Sequence, residues 1–196
     1  MFSHGDLLFT QIGAGDNAIS AVTEGYRGAR VNHVGVILIN NKGTFVLEAF
    51  PPEVRVTQVD VHLKRSQDVQ MKPRYICARL NEPYTKLIAP AVEYGLNRRN
   101  IPYDELYLTD ASALYCSELV VDMFRYANAD EVFFPEKPMS FRSPFTGEIL
   151  PAWTAYYRQF GMEVPDGEPG SNPGDISKDS RLTIIEVAGK LTGYRP

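Results

Sequence analysis

HVGVILINNKGTFVLEAF, residues 33–50, decides how this chain folds. Two runs rich in β-branched residues, HVGVILI and TFVLEAF, flank NNKG, a strong turn signal. The pattern predicts a β-hairpin. A turn centred between Asn41 and Lys42 sets His33 opposite Phe50, with Glu48 diagonal to His33 on the same face. A slip of one residue would send the two to opposite faces. Glu48 has apolar neighbours on both sides, where a carboxylate is costly to bury without a partner. It otherwise faces solvent or pairs with a cation such as Arg55.

Working outward, DLLFTQI reads as a strand after a Gly-Asp turn and AISAVTEGY as a short helix ended by Gly25 or Gly28. EVRVTQVDVHL alternates at Val54, Val56, Val59, Val61 and Leu63, which predicts a half-buried strand with a slip near Gln58. PRYICARL is another strand. YTKLIAPAVEYGLNR has helical spacing, with Pro90 placed near the first turn. In ALYCSELVVDMF, Cys116, Leu119, Val120, Met123 and then Ala127 follow one helix face. Ser112 is the expected N-cap, leaving Cys116 in the first turn. Beyond Pro135 the chain is rich in proline, glycine and aromatics. A short helix is expected around Trp153–Phe160 and a last strand in RLTIIEVA. Residues 1–196 are expected to form one domain, with 135–196 a loop-rich extension wrapping the core.

Composition excludes several classes. A net charge of −4 offers no basic surface for nucleic acid or anionic lipid. No apolar run approaches the ~20 residues of a spanning helix. No basic and apolar leader follows Met1, so the expectation is a cytoplasmic protein, or a periplasmic or cell-envelope one beginning at its mature start. Two cysteines make neither a disulfide framework nor a cysteine-based zinc site, and His4, His33 and His62 lack metal-ligand spacing. No metal or organic cofactor is expected. The sequence leaves the oligomeric state open.

Cys116 has two readings. Free cysteine is a common core residue, and the apolar helix face suits packing. Against this, a first-turn cysteine feels the helix dipole, which favours thiolate, and unpaired N–H groups there can stabilise an oxyanion. A thiol nucleophile also needs a base and an orienting group, and His33 and Glu48 are the candidates.

Five stretches in order, HGDLLF, NHVGVIL, VLEAF, IPYD and YCSELV, resemble the permuted papain-fold amidase family of the YaeF/YiiX group, bacterial relatives of NlpC-type cell-wall hydrolases. The resemblance covers residues 3–127, and NPGDI near the C-terminus also looks familial. It implies an α+β, circularly permuted papain-like fold. There, an antiparallel, partly barrel-like sheet packs against the nucleophile helix. It implies a cysteine amidase or peptidase, with Cys116 the nucleophile, His33 the base and Glu48 the third member of the triad. Its substrate would be a small peptide, amide or acyl compound, cell-wall peptides included. Lipid acyltransferases and esterases share this permuted type, and a non-catalytic peptide- or lipid-binding module on the same fold is the rival.

Tyr115 and Tyr103 would line the pocket or donate to the oxyanion, although a tyrosine at such a position is more often just packed. Among the other polar residues, Asp6 is read as turn structure, Glu118 as one half of a structural ion pair, Cys77 as buried packing and His62 as surface. The aromatic tail, Phe133, Phe134, Phe141, Trp153 and Tyr156 among it, either roofs an apolar cleft or packs the core.

Overall fold

The computed structural model describes residues 1–13, 17–109 and 112–196. In chain order its elements are β1 (Leu7–Thr10), α1 (Ala18–Val22), β2 (His33–Asn40), β3 (Gly43–Phe50), β4 (Glu53–Gln58), α2 (Val59–Lys64), β5 (Tyr75–Leu80), α3 (Ile88–Asn97), α4 (Cys116–Ala127), β6 (Lys137–Pro138), α5 (Pro151–Arg158), β7 (Pro169–Gly170), α6 (Pro173–Ser177) and β8 (Leu182–Ala188). Six strands form one antiparallel sheet in the order β4-β3-β2-β1-β5-β8. This is the expected α+β layout.

The hairpin has the register read from its turn. Asn40 pairs with Gly43, and the ladder runs on to Val36 opposite Leu47. Its alternation divides the residues between two layers. Val34, Val36, Leu38 and Leu47 join Leu119, Met123 and Phe124 of α4 in the main core, whereas Ile37 and Val46 pack with Leu8 and Cys77 beneath α2. Gly95 lets α3 sit close: a Cβ there would lie 2.7 Å from Leu47 Cδ2 and 2.8 Å from Met123 Sδ.

The sheet stays open rather than partly barrel-like, with β4 and β8 as its edges. The start of the outer edge of β4 is occupied. Val54 N–H donates to the Ile101 carbonyl, Asn100 N–H to the Val54 carbonyl, and Glu53 bridges Pro102. These contacts cover the start of the β4 edge, and β4 does not pair with β8.

Two local expectations change. Residues 59–64 are helical, not a continuation of β4. Val59 and Leu63 pack against the sheet with His62 fully buried between them, while Val61 points outward. That is the i, i+3, i+4 face of a helix, which the alternating valines imitate at period two. β-Propensity gave way to burial of one face. The α4 N-cap is Tyr115, not Ser112, so Cys116 is the first helical residue. Leu114 N–H donates to the Pro102 carbonyl and Asp104 N–H to the Leu114 carbonyl, holding the chain extended up to Tyr115.

Candidate active site

The site forms where the hairpin, α2 and the start of α4 meet. His33 is the first residue of β2, and Glu48 lies two residues short of the end of β3. Their side chains join, His33 Nε2 to Glu48 Oε2, at 2.6 Å. Gly35 makes the contact possible. It lies across from Glu48, and a Cβ on it would fall 2.4 Å from Val46 Cγ1 and 3.3 Å from Glu48 Cβ. The empty position lets the carboxylate lean toward His33. Gly35→Ala should therefore destabilise the protein by about 1–3 kcal/mol through overpacking. A denaturant midpoint equal to wild type would show that the neighbours absorb the methyl group.

Cys116 reaches the same ring. Glu48 is the hydrogen-bond partner of His33, and the Cys116 thiol lies near enough to act on the ring. Because Nε2 faces Glu48, Nδ1 is the nitrogen left for the sulfur. Burial alone would pull the His33 imidazole down, but the Cys116 and Glu48 partners outweigh it and hold it up at about 9. Burial would likewise push Glu48 up. Hydrogen bonds from His33 and His62 win, and its carboxyl sits well below the ordinary range. An edge ladder sets the position of α4: Tyr103 N–H donates to the Pro52 carbonyl, next to the hairpin, and Tyr103 bridges Leu114, two residues before Cys116. As the first residue of α4, Cys116 has a backbone N–H outside the helix ladder, beside the positive end of the dipole.

His62, read as surface, is fully buried, and its Nδ1 lies 2.9 Å from the same Glu48 oxygen. Arg65 takes the other oxygen, Oε1, at 2.5 Å. Neither was legible as a site residue. His62 sat in an apparent strand, and Arg65 lies in KRSQD, a run that looks like solvated surface. Burial, with the charges of His33 and Arg65, outweighs Glu48 and lowers the His62 pKa. Ligand atoms of His33, Glu48 and His62 lie within 4.8 Å of one another, the one such group among the described residues.

A cleft opens over Cys116, with about 590 Å³ of empty space, part of it open to solvent. Tyr103, Tyr107, Tyr115, Phe141 and Trp153 supply its aromatic wall, Thr23, Asn32, Ser140 and Asn172 are among its polar lining, and no charged side chain lines it among the described residues. Of the tail aromatics, Phe141 and Trp153 roof the cleft, whereas Phe133 and Phe134 belong to the main core. Tyr115 Oη accepts the Ser171 N–H at 3.0 Å, and Ser117 Oγ donates to the Ser171 carbonyl at 3.1 Å, so the tail is tied to the first turn of α4. Burial raises the pKa values of both Tyr103 and Tyr107. Burial also pushes the Tyr115 hydroxyl up to about 12. All three hydroxyls keep their protons at neutral pH and remain donors.

Other residues fall outside this group. Asp6 accepts the Ser3 N–H, as a turn residue does, and also pairs with Arg79 at 2.7 Å. Cys77 is buried, and burial with the Asp6 carboxylate raises its thiol to about 12. Glu118 makes no ion pair among the described residues. It accepts the Tyr115 N–H at 3.3 Å, closing the N-terminus of α4, and burial raises its carboxyl to about 8. His4 accepts the Ile39 N–H and takes no part.

The sequence profile of the permuted papain-like amidase enzymes, YaeF/YiiX, C92 family, matches residues 1–186. The chain belongs to this family. It is a cysteine peptidase or amidase family, so the protein is a hydrolase of that kind. The fold is similar to the crystal structure of metalloprotein yiiX from Escherichia coli O157:H7. The TM-score is 0.75 at 18% identity, over 94% of this chain and 96% of that chain. Among curated proteins none matches this sequence. No helix among the described residues is long and apolar enough to cross a membrane.

Proposed function

We infer that this amidase-family protein cleaves an amide whose acyl part is apolar, through an acyl-thioester on Cys116. The observation that carries the reading is a histidine held by a buried glutamate and lying beside a helix N-terminal thiol, at an uncharged cleft with aromatic walls.

His33 Nδ1 takes the Cys116 proton, and Glu48 fixes the ring and stabilises the imidazolium. The thiolate adds to the acyl carbonyl. The Cys116 N–H receives the developing oxyanion, with Tyr103 and Tyr115 as the nearby hydroxyl donors. His33 then protonates the departing amine as the C–N bond breaks. Water, deprotonated by His33, attacks the thioester and releases a carboxylic acid and the Cys116 thiol. An alcohol or amine in place of water would make the same site an acyltransferase. In this reading residues 1–196 work as one domain, and 135–196 complete the cleft.

The apolar lining favours acyl amides over charged cell-wall peptides, since a buried carboxylate or ammonium in the cleft would find no counter-charge. The related yiiX structure is called a metalloprotein. Brought to this chain, a metal would have to sit on His33, Glu48 and His62. The donor set does not fit one, because both histidine nitrogens converge on a single carboxylate oxygen and an arginine holds the other. No step is routed through a metal.

The test compares the protein with Cys116→Ala against acyl amides, acyl esters and cell-wall peptides, using mass spectrometry to find an acyl group on the Cys116 peptide. An adduct from long-chain acyl amides is expected. Binding without turnover in both proteins would instead make this a binding module. Iodoacetamide gives a substrate-free check: near neutral pH it should alkylate Cys116 far faster than Cys77, whose thiol is pushed up to about 12. Equal slow labelling of both would remove Cys116 as nucleophile.

A further inference from the structure

Glu48 carries more partners than a triad needs. A buried carboxylate anion only accepts hydrogen bonds, so His62 Nδ1 must carry the proton it gives to Oε2. The Arg65 nitrogen 3.0 Å from that same Nδ1 therefore cannot donate to it and is committed to Glu48 Oε1. The guanidinium is itself held, its central carbon 3.9 Å from the Phe50 ring centroid. Phe50 in turn stands edge-on to the His33 ring at 5.5 Å. One positive group thus touches the carboxylate, a histidine and the aromatic that braces the second histidine.

We propose that Arg65 is the built-in cation of this site, taking the place a metal ion would hold among His33, Glu48 and His62, and that Arg65 and His62 are positioning residues that aim Glu48 at His33. A tetrahedral metal needs each ligand atom about 2.0–2.2 Å away, with the ligands spread around it. Here the His33 and His62 nitrogens stand 2.6 and 2.9 Å from one oxygen and bond to it directly. A dication entering this group would meet a guanidinium that cannot lose its charge. Arginine supplies permanent charge balance for Glu48 through its Nη2 hydrogen bond to Oε1. His62 fixes the remaining freedom by sharing Oε2 with His33.

The inference rests on the reading of Cys116 and His33 as the reacting pair, and its test needs no turnover. Wild type, Arg65→Lys and Arg65→Met are titrated with excess Co(II), followed by visible absorption, while the rate of Cys116 alkylation by iodoacetamide is measured in parallel. Wild type and Arg65→Lys should develop no Co(II) band, and adding Co(II) should leave the alkylation rate of each where it was without the ion. Arg65→Met should bind a single Co(II), and its Cys116 should then alkylate roughly tenfold or more slowly as the ion takes His33, with recovery in EDTA. His62→Ala should slow alkylation roughly tenfold through loss of alignment. His62→Asn, which keeps a donor near the Nδ1 position, should restore it.

A wild-type protein that binds Co(II) with a band lost in His62→Ala would overturn the proposal. So would a folded Arg65→Met that binds none. Should Arg65→Met not fold, the wild-type titration and the two His62 variants still decide between these outcomes. Loss of hydrolysis in every assay alongside the expected Co(II) results would count against the substrate reading alone.

Discussion

Cys116→Ala is expected to lower turnover of an accepted acyl amide by on the order of 10⁴-fold or more, with KM little changed. In the proposed mechanism the side chain forms the bond to the acyl group, and alanine would leave His33 nothing to deprotonate. Cys116 also lies in the core cluster at 6% exposure, so the stability cost matters to the interpretation. Removing one buried heavy atom costs about 1 kcal/mol, too little to unfold a domain. Measured turnover within tenfold of wild type, in a protein with a wild-type melting transition, would return Cys116 to a packing role.

Glu48→Gln and Glu48→Ala should separate geometry from charge. Glutamine keeps the shape but replaces the anion, so His33 loses its orienting charge and turnover should fall on the order of 10³–10⁴-fold. Alanine does more. It strands the buried His33 and His62 rings and the mostly buried Arg65 guanidinium, and unfolding free energy should drop by about 3–5 kcal/mol.

The pH dependence follows from the direction of the Glu48 shift. Its folded pKa is depressed, first against burial and then by His33 and His62, so its contribution is present above the ordinary carboxyl value of about 4.3 and is lost as pH falls below it. Urea midpoints at neutral pH and near pH 3 should differ less in Glu48→Gln than in wild type. An equal acid sensitivity in both would mean that other carboxylates carry it.

Much of this site was legible in residues 33–50. Alternation and a two-residue turn define the hairpin register locally, and register alone places His33 and Glu48 on one face. The helix of Cys116 was legible from its apolar face, yet its first residue was not. Leu114 is drawn into a bridge with Tyr103, and that bridge, rather than Ser112, sets where α4 begins. The His62 segment misled for a different reason. Val59, Val61 and Leu63 satisfy a strand pattern, but Val59, His62 and Leu63 satisfy a helix pattern, and only the partner can choose. The partner is the buried Glu48 carboxylate, which needs donors that a strand would have turned to solvent.

The sequence by itself put His33 and Glu48 on one face of a hairpin whose register depends on neighbours along the chain, and left open whether they pair. The tertiary structure alone decided that Cys116 meets His33, that His62 and Arg65 close around Glu48, and that Phe141 and Trp153 cover the cleft. Those contacts join segments whose local periodicity carries no information about one another. They arise from the paired edge of β4, the turn into α2 and the ties from Ser171 to α4, each satisfying buried polar groups that sequence pattern leaves unassigned.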